Sequence, residues 1–228
     1  MKKSRFFPIS FLNYFIFLGK EVFPEKMLPM VSSSKMPDCI LAFTFGRNSV
    51  RADKLYRVAY LFRTTYSGSS KKTVRRILNT NNFDPGKSNI SLAQDVISLV
   101  EIYHIPAIVQ WEIVIAMGKW YLENTDKVIP IWPDLGRKSQ NTMEVLWQLE
   151  KLKLLPSKFK MPIVVSQKYH MTRAFLLVKK FLGYIPVVAQ YNTGVFDPGS
   201  VQWWTRSKLA WYCKEFLVRI HHVIKGWV

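Results

Sequence analysis

Residues 39–45 read Cys-Ile-Leu-Ala-Phe-Thr-Phe and run straight into Gly46. A run this apolar has no solvent face. It suits a strand buried on both sides, as in a parallel sheet covered by helices. Similar runs return at 106–115, 128–132, 161–165 and 185–189. Between them lie segments of helical period: 51–63, 88–103, 139–155, 172–182 and a long last one at 201–224. In 88–103 the apolar positions are Ile90, Leu92, Ala93, Val96, Ile97 and Val100, which fall on one helix face. Strand and helix therefore alternate. That order predicts an α/β fold: a doubly wound, mostly parallel sheet with helices on both faces and a long C-terminal helix.

The first 37 residues stand apart. Lys2, Lys3 and Arg5 precede an apolar stretch from residue 6 to residue 18, broken by Pro8 and Asn13. It is shorter than the ~20 residues that span a bilayer. Its pattern suits a signal-like or interfacial segment, and equally a segment packed on the domain. Pro24, Pro29, Pro37 and Ser32-Ser33-Ser34 then read as a linker. The expected division is 1–37 as apolar segment and linker, and 38–228 as one α/β domain. The expected location is cytoplasmic, with membrane association through residues 1–20 as the alternative.

Charge limits the partners. Lys+Arg is 33 against 15 Asp+Glu, a formal net charge of +18. Such a field attracts polyanions: phosphorylated small molecules, anionic lipid or nucleic acid. Many aromatics lie at helical spacing within apolar runs, which is simpler as core, so nucleic acid ranks last. The two cysteines, Cys39 and Cys213, form no C-x-x-C or Cys/His cluster, which argues against zinc; no metal is expected.

In doubly wound sheets ligands bind beyond the carboxyl ends of the strands. The polar residues there are the candidates. Residues 163–174 read Ile-Val-Val-Ser-Gln-Lys-Tyr-His-Met-Thr-Arg-Ala. His170 and Arg173 are three apart and share a helix face, beside N–H groups that attract anions. Arg173 suits an anion, and His170 suits proton transfer. A cap and a surface ion pair suit the same spacing. At 139–144, Ser-Gln-Asn-Thr-Met-Glu opens a helix: Ser139 is the expected N-cap, and Thr142 or Glu144 fits a capping arrangement. Asn141 and Thr142 would also lie near the strand ends. Gln110 and Glu112, read within one strand, would share a face. Glu112 would then pair with Arg173 or act as a base. Gly46 and Asn48 follow the first strand and suit a close approach to phosphate. Asp84-Pro85-Gly86-Lys87-Ser88 lacks a P-loop frame, and His221 and His222 read as surface residues.

Asn141-Thr142-Met143-Glu144, followed by Val165-Ser166-Gln-Lys-Tyr-His170-Met171-Thr172-Arg173-Ala174 and a Trp-rich end with Trp211, Glu215 and Arg219, resembles the DUF 218 family, the YdcF/SanA/ElyC-like domains. The resemblance spans about residues 38–228 and is firm over 128–228. It implies a Rossmann-like fold and a polar site of Asn141, Thr142, Glu144, Ser166, His170 and Arg173. It also brings in S-adenosylmethionine, which a subset of that family binds, and the bacterial envelope processes to which other members are linked. Three functions fit these residues: a domain that binds, or acts on, an anionic or nucleotide-like small molecule; a membrane-associated envelope protein without catalysis; and, last, a nucleic-acid binder. In the first, His170 or Glu112 moves the proton, and Arg173, Ser166, Asn141, Thr142, Glu144, Gln110, Gly46 and Asn48 hold the ligand.

Overall fold

The computed structural model describes residues 36–46, 84–132, 140–155, 158–183, 185–188 and 194–225. The expectations for residues 1–35 and the helix at 51–63 lie outside the described residues.

Five strands form one sheet: β1 Cys39–Ala42, β2 Ala107–Gln110, β3 Val128–Ile131, β4 Pro162–Val165 and β5 Val187–Val188. Their order is β3-β2-β1-β4-β5 and every pairing is parallel. Leu41 stands opposite Ile108 on one side and Val164 on the other. Among the described residues the α-helices are α1 Lys87–Tyr103, α2 Trp111–Met117, α3 Lys119–Glu123, α4 Thr142–Lys151, α5 Lys168–Leu182 and α6 Lys208–Ile224.

Strand alternation divides the core in two. Ile40, Ala42, Val109, Ile163 and Val165 face α1 and α2, meeting Leu92, Val96 and Ile113. Cys39, Leu41, Ile108 and Val164 face α4 and α5, meeting Leu146, Leu149, Ala174 and Val178. Helices thus cover both faces, which is the doubly wound, Rossmann-like arrangement expected from the apolar runs. Ile163 and Leu149 are fully buried; truncating either to alanine costs about 2–5 kcal/mol. The Asp38 carboxylate ties two strand starts together by accepting from the backbone N–H of Lys160 and Met161.

Several boundaries differ from the sequence reading. The apolar run at 106–115 is not one strand. Pairing with β3 ends at Gln110, and helix α2 starts at the next residue. The run stays apolar because α2 is itself buried nearly all round, through Trp111, Ile113, Val114, Ile115 and Met117. Periodicity cannot separate a buried strand from a short buried helix. Glu112 is therefore in the first turn of α2, and it does not share a strand face with Gln110.

Helix α4 starts at Thr142, capped by Asn141 and not by Ser139. Helix α5 starts at Lys168, four residues before the expected 172, because the buried Gln167 side chain accepts from the Tyr169 N–H at 2.8 Å. Glutamine is outside the usual capping set, so this start carries no capping signal. The segment expected as one helix over 201–224 is a 3₁₀ turn, Trp203–Thr205, followed by α6. Cys39 and Cys213 are both free.

Candidate functional site

The chain leaves β1 toward β2 and leaves β4 toward β5, although β1 and β4 are neighbours. Their loops diverge, and a crevice opens at that switch point. A cavity of about 520 Å³ fills it. It is lined by Thr44, Phe45 and Gly46 after β1, Gln110 at the end of β2, Gln140 to Thr142 at the start of α4, and His170 and Arg173 on α5. The opposite wall is Gln202, Trp204 and Thr205, together with the Trp211, Lys214 and His222 face of α6.

The wall at the strand ends is held by its own polar groups. The buried Gln110 side chain accepts from the Thr44 N–H at 3.1 Å and donates to the Gln140 carbonyl at 3.4 Å. It braces the loop after β1 and the segment before α4 against the end of β2. Asn141 and Glu144 form a reciprocal capping box: the Asn141 side chain accepts from the Glu144 N–H at 2.9 Å, and Glu144 accepts from the Asn141 N–H at 2.8 Å. Such a cap contributes about 1 kcal/mol. Asn89, fully buried, accepts from Phe45 N–H at 3.2 Å and donates to the carbonyls of Gly46 and Pro85 at 2.7 and 2.8 Å. The Asp84-Pro85-Gly86 segment thus fixes the loop after β1. Gly46 has φ +72, and a Cβ there would lie 2.5 Å from Thr205 Oγ1. Only glycine fits, on both counts.

His170 and Arg173 are also placed in the cavity wall. Thr142 Oγ1 lies 3.2 Å from His170 Nε2, and the ring meets Trp211 edge-on at 5.7 Å. His170 Nδ1 is buried with no hydrogen-bond partner among the described residues. Burial first, then the charges of Arg173 and His222, hold its pKa well below the ordinary value. The ring is therefore held in its neutral form at physiological pH, and in this setting it is a weakened base.

Arg173 is not free for a ligand. Its Nε lies 3.1 and 3.0 Å from the two oxygens of Glu215, and its guanidinium sits 5.5 Å from the centre of the Trp211 ring. The partner expected from sequence was Glu112; the structure gives Glu215. Burial raises the Glu215 pKa, and Arg173 opposes that rise. Among the described lining residues, Lys214 is a cation without a carboxylate in hydrogen-bond contact; its Nζ lies 5.2 Å from the centre of the Trp204 ring, and its charge also acts on Glu215. Among the described residues lining the cavity, none is Asp or Glu.

Of the predicted site residues, the structure brings together His170, Arg173, Asn141, Thr142, Gln110 and Gly46. Glu112, Glu144 and Ser166 do not line the cavity: Glu112 is buried on α2, Glu144 caps α4, and Ser166 is wholly buried. Asn48 lies outside the described residues. Sequence reasoning missed Trp204, Thr205, Lys214 and the buried His222, which it had assigned to the surface. A signal existed: Trp211, Glu215, Val218 and His222 follow the i, i+4, i+7, i+11 spacing of one helix face.

No family model, curated protein or solved structure matches this chain. Among the described residues there is no cluster of three or more His, Cys, Asp or Glu that could hold a metal ion, and no helix long and apolar enough to cross a membrane.

Proposed function

We propose that this chain is a DUF 218-like domain that binds an anionic or nucleotide-like small molecule in the cavity at its strand ends. The observation that carries this reading is the lining: Lys214, no lining carboxylate among the described residues, and Trp204 and Trp211, with Arg173 held by Glu215 beside them. In a crevice walled by low-dielectric protein, a cation such as Lys214, with no carboxylate in hydrogen-bond contact, attracts phosphate or carboxylate. The cavity volume suits a small molecule. The net charge of +18 works in the same direction at long range.

The group equipped to move a proton is Thr142–His170. A bound anion would offset the charges of Arg173 and His222 and restore basicity to the imidazole, which the threonine hydroxyl aligns. Glu112, outside the cavity, has no part in this reading. S-adenosylmethionine fits the lining poorly. Its sulfonium and ammonium would meet Lys214 with no lining carboxylate among the described residues to hold them.

The test is a thermal-shift screen of the full chain with inorganic phosphate, nucleoside phosphates, sugar phosphates and S-adenosylmethionine. Wild type and Lys214→Ala are run together. A phosphorylated ligand should raise the wild-type midpoint, since it binds the folded state alone. The shift should disappear in Lys214→Ala. A shift by S-adenosylmethionine alone would overturn the reading. Arg173→Ala is unsuitable here, because it leaves Glu215 buried without its ion-pair partner and mixes folding with binding.

A further inference from the structure

Helix α6 has two apolar faces. One packs inward through Trp211 and the buried Glu215 and His222. The other points to solvent: Leu209, Phe216, Leu217 and Ile224 are 74, 45, 60 and 66% exposed. Cys213, also exposed, lies on this outer arc. Leu209, Phe216 and Ile224 recur at i, i+7 and i+15, so the row runs along most of the helix. Trp203, half exposed, precedes it. An apolar row of this length on a solvent face marks an interaction surface.

The charges beside the row identify the partner. Arg206, Lys208 and Lys225 are exposed, and Lys214 flanks the row on the cavity side. From residue 198 to the last residue the sequence contains one acid, Glu215, which is buried against Arg173. A second copy of this chain would bring cations against cations. An anionic lipid surface matches both properties: cations meet headgroups, and the apolar row enters the acyl boundary.

We infer that the outer face of α6 lies in the interface of an anionic membrane, parallel to its plane, with the cavity rim at Lys214 and Leu217 beside the headgroups. This docking element is distinct from residues 1–20, and the inference does not depend on the identity of the cavity ligand.

The two cysteines make a direct test. Cys213 is exposed on the outer arc and Cys39 is buried. The full chain is labelled at Cys213 with a polarity-sensitive fluorophore and mixed with vesicles of phosphatidylcholine alone, or of equal parts phosphatidylcholine and phosphatidylglycerol. The label should shift to the blue with the anionic vesicles only, and less at high salt. Leu209→Gln/Phe216→Gln/Ile224→Gln changes exposed residues only. It should weaken the association by about tenfold or more, as loss of apolar contact predicts. Sedimentation with vesicles but no change at Cys213 would overturn the inference in favour of residues 1–20. A blue shift without lipid that grows with protein concentration would overturn it in favour of self-association.

Discussion

Around the cavity, Gln110, Asn89 and Asn141 at the strand ends bond to backbone, whereas across the crevice Arg173 pairs with the Glu215 side chain and Lys214 reaches the cavity. Gln110, Asn89 and Asn141 have their amides committed to loops and a helix end. Arg173 and Glu215 hold α5 against α6, and Lys214 reaches the cavity beside Trp204. One wall is a frame; the other carries the charge. A polar residue at a strand end is therefore a ligand candidate only once its own hydrogen bonds have been traced.

The largest effect should come from breaking the ionic wall. Arg173→Met leaves the Glu215 carboxylate buried without its counter-ion, and stability should fall by about 3–5 kcal/mol. Arg173→Met/Glu215→Leu should recover most of that loss, because two apolar groups leave no orphaned charge. Urea unfolding of the two variants measures this. A double variant no more stable than the single would mean the pair is not the unit of stability.

The frame should break at Gly46. Gly46→Ala adds a Cβ at φ +72 and against Thr205, at a cost of about 1–3 kcal/mol. Thr205→Ala beside it should return only part of the loss, since the backbone strain stays. A Gly46→Ala protein with the wild-type unfolding midpoint would remove the close approach from the account. Asn141→Ala should cost less, about 1 kcal/mol for the cap, with ligand binding unchanged.

The two walls meet at His170, where pH reads them. Its folded pKa lies below the ordinary 6.5, so above that value the ring is neutral in both folded and unfolded states. As pH falls below 6.5 the unfolded chain takes up the proton first, and stability drops. Glu215 works oppositely, its raised pKa relieving a burden as pH falls toward 4.5. In His170→Gln the melting temperature should vary less between pH 7 and pH 5, and an unchanged slope would count against a buried neutral imidazole. The smallest effect belongs to Asp95 on α1, whose pKa burial lifts to about 6. Asp95→Asn should raise the midpoint at pH 8 and not at pH 3.5. The gain should be no more than about 0.5 kcal/mol, because solvent still reaches the group and screens it.

These walls were unequally legible in the sequence. The frame was readable because apolar runs dictate a buried parallel sheet, and strand ends follow from the runs. A capping arrangement with Glu144 could be read from spacing, but its N-cap was expected at Ser139 and is Asn141. The end of β2 was not readable, because α2 is as apolar as a buried strand. The partner of Arg173 was not readable either, since Glu215 lies 42 positions away and only the fold brings α6 across the crevice. His222 was mistaken for a surface residue because the neighbouring basic residues hid the inward stripe of α6.

The division between the walls is tested most directly by calorimetric titration of one phosphorylated ligand into three full-length proteins: wild type, Lys214→Ala and Asn141→Ala. Binding should weaken at least about tenfold in Lys214→Ala, as loss of a charge-assisted contact predicts. Asn141→Ala should bind like wild type. Equal affinity in wild type and Lys214→Ala, or a loss confined to Asn141→Ala, would contradict the account.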